Sequence, residues 1–216
     1  MSGGTVAGLQ QGDGYDTFLM TGGTITGAFV DGDYAEQSGG TIGRVDMKLA
    51  DNFYYLSGGQ ILGNLVTGFG LDTIVVSGGA IGGNVSTSGG NDVIRVSGGS
   101  IEGEIRASFG NDTFDWTGGA IFDNVLMGAD SDVATLGNLS ANTIAAAGNI
   151  DGGRRRRSWR ACGQRHSQIR EQLCHQWRPV HQLGDHPAQQ WLAPQPERQS
   201  CARRCYQPDR PAGHRF

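Results

Sequence analysis

SGGAIGGNVSTSGGNDVIRV, Ser77 to Val96, is preceded by SGGQILGNLVTGFGLDTIVV, Ser57 to Val76, and followed by SGGSIEGEIRASFGNDTFDW, Ser97 to Trp116. Three consecutive copies of one 20-residue pattern mean that the unit of structure is a repeat, and the search for further copies comes first. The Ser/Thr-Gly-Gly triplet begins at Ser2, Thr21, Ser38, Ser57, Ser77, Ser97 and Thr117, with spacings of 19, 17, 19, 20, 20 and 20. Four residues after each start stands an aliphatic side chain: Val6, Ile25, Ile42, Ile61, Ile81, Ile101 and Ile121. Seven or eight residues after it stands a second apolar one: Leu9, Phe29, Val45, Leu65, Val85, Ile105 and Val125. Both columns are predicted to face inward.

Near the end of each repeat the apolar residues alternate with period two, in Phe18 and Met20, Tyr54 and Leu56, Ile74 and Val76, Ile94 and Val96, and Phe114 and Trp116. That alternation predicts short strands with one buried face. Gly-Gly on one side and glycine-rich runs ending in Asp on the other supply turns, where glycine can take positive φ. Three short strands and about 20 residues per turn are the dimensions of a parallel β-helix, an all-β solenoid with rungs about 4.8 Å apart. Eight rungs would give a rod of roughly 35 to 40 Å. Four or five buried apolar side chains per rung, at roughly 1.5 to 3 kcal/mol apiece, suffice only because neighbours cover one another. The second rung, with Tyr34, Ala35 and Glu36 in place of a glycine-rich turn, is predicted to be irregular, and the pattern degenerates after Leu136 into an alanine run.

Composition divides the chain near Gly153. Residues 1–153 hold four basic residues, Arg44, Lys48, Arg95 and Arg106, against seventeen acidic ones, a net charge of −13, and 34 of the 37 glycines. Residues 154–216 hold thirteen arginines against four acidic residues, a net of +9, with every Cys, His and Pro of the protein. A cysteine-free, acidic, Gly/Ser/Thr/Asn/Asp-rich repeat is common in exported bacterial proteins. No stretch reaches the roughly 18 apolar residues of a membrane span, and the first residues lack the basic and apolar regions of a signal peptide.

The pattern Ser-Gly-Gly-x-Ile-x-Gly-x-Val, a glycine-rich turn ending in Asp and then a hydrophobic pair resembles the passenger repeats of Gram-negative autotransporters. The resemblance covers about 70% of the chain. It implies a non-catalytic structural or adhesive segment, at the cell surface and outer membrane or secreted. The implied partner is a surface ligand or host or matrix component of unknown identity. A full-length relative would also carry a signal peptide and an outer-membrane barrel.

One aspartate recurs near the same turn: Asp16, Asp72, Asp92, Asp112 and Asp132. With their glycine-rich approaches these resemble half of the Gly-Gly-x-Gly-x-Asp calcium repeat of RTX proteins, although that motif returns every nine residues and this one every twenty. Carboxylates stacked at the rung spacing would repel by about 1 kcal/mol per pair in water. Calcium bridging successive turns through carboxylate and carbonyl oxygens would offset this. The other reading is that each Asp caps its own turn and stays solvated. A carbohydrate-active β-helix enzyme would need carboxylates and a base converging in a groove. Arg95 and Arg106 are predicted to point outward, Arg44 and Lys48 have no evident carboxylate cluster, and Phe114 and Trp116 belong to the core columns.

In the tail, Arg154 to Arg157 form a basic run, and Cys162, Cys174, His175, Cys201 and Cys205 are the conceivable zinc ligands. The cysteines lack Cys-x₂-Cys pairs and the segment lacks hydrophobic periodicity, so neither a zinc site nor a nucleic-acid partner is expected. The composition predicts disorder from residue 154. A one-base shift of frame lets the tail encode β-solenoid chemistry again: His175-Gln176-Trp177 permits Ile-Asn-Gly, and His181 to Trp191 permits a strand-and-turn sequence. The tail is therefore expected to be an out-of-frame translation. Met1 occupies the position that Met20, Leu56, Val76, Val96 and Trp116 hold before their triplets, so further rungs are expected to be encoded upstream.

Overall fold

The computed structural model describes residues 1–153, and by backbone alone 155–161. It is a parallel β-solenoid, each strand pairing with its counterpart one rung on. The chain divides into two compact units, Met1–Arg178 and Pro179–Phe216, and the second lies outside the described residues. In the regular rungs the long strands Thr73–Ile81, Val93–Ile101 and Thr113–Ile121 stack in one lane, and the short strands Val85–Ser86, Ile105–Arg106 and Val125–Leu126 stack in another. Register is twenty residues throughout this region: Ile74 pairs with Ile94 and Phe114, Val76 with Val96 and Trp116, Ile81 with Ile101 and Ile121.

The Gly-Gly pair bends each long strand, and its two glycines serve different needs. The second takes positive φ, as at Gly79 and Gly99 with 75°, a region that a side chain disfavours. The first lies against the rung below, where a Cβ on Gly98 would stand 2.2 Å from the Ser77 carbonyl oxygen. Repeat spacing and close rung contact thus meet in one dipeptide.

Both predicted columns and the alternating pairs fill the interior. From Ile25 to Ile121 and from Phe29 to Val125 no column member is more than 1% exposed. The first rung departs from this: Val6 is 41% exposed and Leu9 only half-buried. Its strands Ser2–Val6 and Leu9–Gln10 pair with Gly22–Val30 on one side, so the covering that neighbours give elsewhere is halved. A further inward column, not evident in the sequence, lies two residues past the second: Met47, Thr67, Thr87, Ala107 and Met127, all buried. Its mixed chemistry conceals it from a search for apolar periodicity.

The short second rung stays in the stack. Tyr34–Gln37 pairs with Thr17–Met20 at a 17-residue register and with Phe53–Leu56 at nineteen, so Ala35 and Gln37 hold the apolar-pair positions. Gln37 is buried there; its Oε1 accepts from the Tyr54 hydroxyl at 2.8 Å, and its Nε2 donates to the carbonyls of Gly40 and Gln60.

After Leu136 the bend is replaced by a helix, α1 (Ala141–Ala146), whose first turn is capped by Ser140 Oγ accepting from Thr143 N–H at 3.0 Å. Ile144 is buried, and the detour lengthens the register to 25 residues between Val125 and Ile150. Of the tail from residue 154, one segment is described. Arg155–Ala161 is a strand paired in parallel with Ser131–Leu136, with Trp159 opposite Ala134 and Ala161 opposite Leu136. An open sheet edge offers its N–H and C=O groups to any chain that follows, whatever its charge. The cysteine and histidine positions weighed for zinc, and the segments read for a shifted frame, lie outside the described residues.

Candidate functional site

The aspartates singled out from sequence form one continuous column where the glycine-rich turn enters the long lane. Asp72, Asp92 and Asp112 are 1% exposed and Asp132 3%, while Asp16 in the first rung is half-buried. Each carboxylate reaches back one rung. The backbone N–H of Asn52 donates to Asp72 Oδ1 at 2.9 Å, that of Asp72 to Asp92 Oδ1 at 2.9 Å, that of Asp92 to Asp112 Oδ1 at 2.9 Å, and that of Asp112 to Asp132 Oδ1 at 3.0 Å. The groups therefore cap the neighbouring rung rather than their own turn, and they are buried rather than solvated.

Two members escaped the sequence reading. Asp33 accepts from Asp16 N–H at 2.7 Å, and Asn52 continues the register between Asp33 and Asp72. Both stand five residues before a Ser/Thr-Gly-Gly triplet, as Asp16, Asp72, Asp92 and Asp112 do, so counting backwards from the triplet finds them. The irregular turns of the second and third rungs drew attention from that count.

The second carboxylate oxygens are treated unequally. Asp72 Oδ2 accepts from the Thr67 hydroxyl at 2.7 Å. In the next rung the Thr87 hydroxyl donates to the Ala107 carbonyl at 3.2 Å. The rungs after that have Ala107 and Met127 at the threonine position, without a hydroxyl. Asp92 Oδ2, Asp112 Oδ2 and Asp132 Oδ2 are buried with no hydrogen-bond partner. Burial pushes the Asp72 carboxyl up to about 6, against the Thr67 hydroxyl and the Asn52 N–H, which favour the charged form. Burial likewise pushes Asp112 up to about 7, and the charges of Asp92, Asp132 and Asp130 add to it. Asp92 and Asp132 are raised for the same first cause, against the N–H of the preceding rung and, for Asp92, against the Thr87 hydroxyl as well. Among the described residues no three His, Cys, Asp or Glu side chains are grouped so as to hold a metal ion.

Amide stacks run in the opposite direction. Asn64 Oδ1 accepts from Asn84 N–H and Asn84 Oδ1 from Glu104 N–H, while Asn91 Oδ1 accepts from Asn111 N–H and Asn111 Oδ1 from Ser131 N–H. Turn donors that a bent backbone would leave unpaired are satisfied from the rung before.

Among residues 1–153 the basic side chains are all on the surface. Arg95 lies 3.4 Å from Asp115 in the next rung, and Arg106 contacts Glu104. Arg44 and Lys48, expected to have no carboxylate cluster, both lie 3.4 Å from the one carboxylate of Asp46, which the chain places between them. A groove is lined by Thr26, Gly43, Arg44, Gly63 and Asn64; a Cβ on Gly43 would stand 2.3 Å from the Gly27 carbonyl oxygen, so the rungs approach closely there. On another corner Leu49, Phe69, Gly89, Phe109 and Ala129 are bridged rung to rung; Leu49 and Phe109 are 66% exposed and Phe69 62%, with Leu71 beside them at 57%. Among the described residues no helix is long and apolar enough to cross a membrane.

Comparison with known proteins finds no matching family, no matching curated relative and no matching solved structure.

Proposed function

We propose that this chain is a non-catalytic structural and adhesive segment, of the passenger type of a Gram-negative autotransporter-like surface protein, acting at the cell surface or after secretion. The exposed corner of Leu49, Phe69, Leu71 and Phe109 carries the reading. Repetition sets these side chains in register along the stack, and a row of exposed apolar groups on a water-soluble framework suits contact with another surface. The interior supports the same view, since its columns are occupied by packed side chains and by polar groups directed at neighbouring backbone. The partner is a surface ligand or a host or matrix component.

Binding of the purified full chain to immobilised matrix proteins and to cell surfaces tests this. The double variant Phe69→Ser/Phe109→Ser is expected to lose most of the binding while keeping the parent's β-type circular dichroism. Unchanged binding would remove the corner from the argument. Calcium titration during thermal unfolding addresses the RTX-like alternative: a rise in Tm at millimolar calcium would favour it, and none is expected if the carboxylates serve the backbone.

A further inference from the structure

We propose that the aspartate column holds a proton: Asp112 is a neutral carboxylic acid in the folded solenoid at weakly acidic pH, and its ionisation as pH rises loosens the stack. Asn52 is the one amide of this column among residues 1–153. Its Nδ2 donates to the carbonyls of Ala50 and Thr67, both at 2.9 Å. The position therefore lies among acceptors and takes a donor. By the twenty-residue register, Gly90 and Ala107 hold the equivalent places around Asp92, and Gly110 and Met127 those around Asp112. A carboxylate offers no donor. A carboxylic acid offers one, while its other oxygen still accepts from the preceding rung's N–H.

Asp112 Oδ2 is the atom in question, buried and unpartnered as it stands. A buried acceptor without a donor is costly, and protonation of Oδ2 turns it into a donor for the carbonyls at these equivalent places. Among residues 1–153 no cation lies beside the column. The charged neighbours are the column's own members and Asp130, which acts on Asp112 and Asp132. Arg44, Lys48, Arg95 and Arg106 are exposed and paired with Asp46, Asp115 and Glu104. The Thr67 hydroxyl supplies Asp72 Oδ2 with the donor that Ala107 denies to Asp112.

The direction of the pH effect follows from linkage. These carboxyls have folded values above their ordinary 3.8, reaching about 7 for Asp112. Proton binding is then tighter in the folded state, so the stabilisation is fully present below 3.8 and is lost as pH rises through the folded values. The solenoid is more stable at about pH 5 than at about pH 8.

Urea unfolding of the full chain at these two pH values and one ionic strength is the test, with Asp112→Asn alongside. The parent's unfolding constant is expected to rise at least about tenfold from the lower to the higher pH, about 1.4 kcal/mol. Asp112→Asn keeps an acceptor for Asp92 N–H and gains the donor seen at Asn52, so its pH dependence should flatten and its stability at the higher pH should match or exceed the parent's. An equal pH dependence in both proteins would overturn the proposal. If the variant does not fold, carboxyl ¹³C titration of the parent decides: Asp112 titrating near neutrality supports the proposal, and titration in the ordinary carboxylate range refutes it.

Discussion

At the scale of single residues, the solenoid makes equivalent positions strictly unequal in what they tolerate. Ile81 is wholly buried between Ile61 and Ile101 in a column with no polar partner. Ile81→Asp places an unpaired charge there, which is among the few changes expected to unfold several rungs together. Arg95, on a long strand of the next rung, is exposed, with a single surface contact to Asp115. Arg95→Ala should change stability by no more than about 0.5 kcal/mol. Thermal denaturation of the two variants checks the assignment of inward and outward faces, and equal effects would refute it. These faces were legible from the period-two alternation of Ile94, Arg95 and Val96. The inward role of Thr67 and Thr87 was not, because threonine is as common in turns and on exposed strands as in cores.

At the scale of the element, the short second rung shows how a break in the repeat is absorbed. Its seventeen-residue register was predicted to be irregular, and the outcome is local: the strand keeps its lane but places a glutamine where neighbours have an aliphatic side chain. That glutamine is tolerated because Tyr54 in the following rung donates to it at 2.8 Å. Tyr54→Phe keeps the ring and leaves Gln37 Oε1 without its donor, at a cost of roughly 1 to 3 kcal/mol by chemical denaturation. A loss below about 0.5 kcal/mol would mean that the pair is incidental. Helix α1 is the second such break. It forms where the Gly-Gly bend is missing, with Ser140 as a strong N-cap and alanines, the best helix formers, at its ends. Both signals are local, yet the alanine run read only as an end to the pattern, because six residues are too short to declare a helical period.

At the scale of the whole solenoid, stability belongs to contacts between rungs, since each rung borrows its core from two neighbours. Amide hydrogen exchange should therefore be slowest in Thr73–Ile81, Val93–Ile101 and Thr113–Ile121 and fastest in Ser2–Gln10, where Val6 is exposed. Uniform protection from the first rung to the middle would contradict this account. The sequence by itself determined the β-solenoid, its period and its main apolar columns, because a side chain's face in a strand alternates locally and a repeat multiplies the signal. It also marked Asp72, Asp92, Asp112 and Asp132 as one set. Only the tertiary structure decided what that set does. Whether a carboxylate at a turn is solvated, bound to a cation or buried against the next backbone depends on the rung stacked beside it. For Asp112 the missing donor is a property of Ala107, which contacts in space make relevant and sequence distance does not. The strand at Arg155–Ala161 has the same origin: pairing with an open edge is made by backbone groups that every residue except proline carries in full, so composition could not announce it.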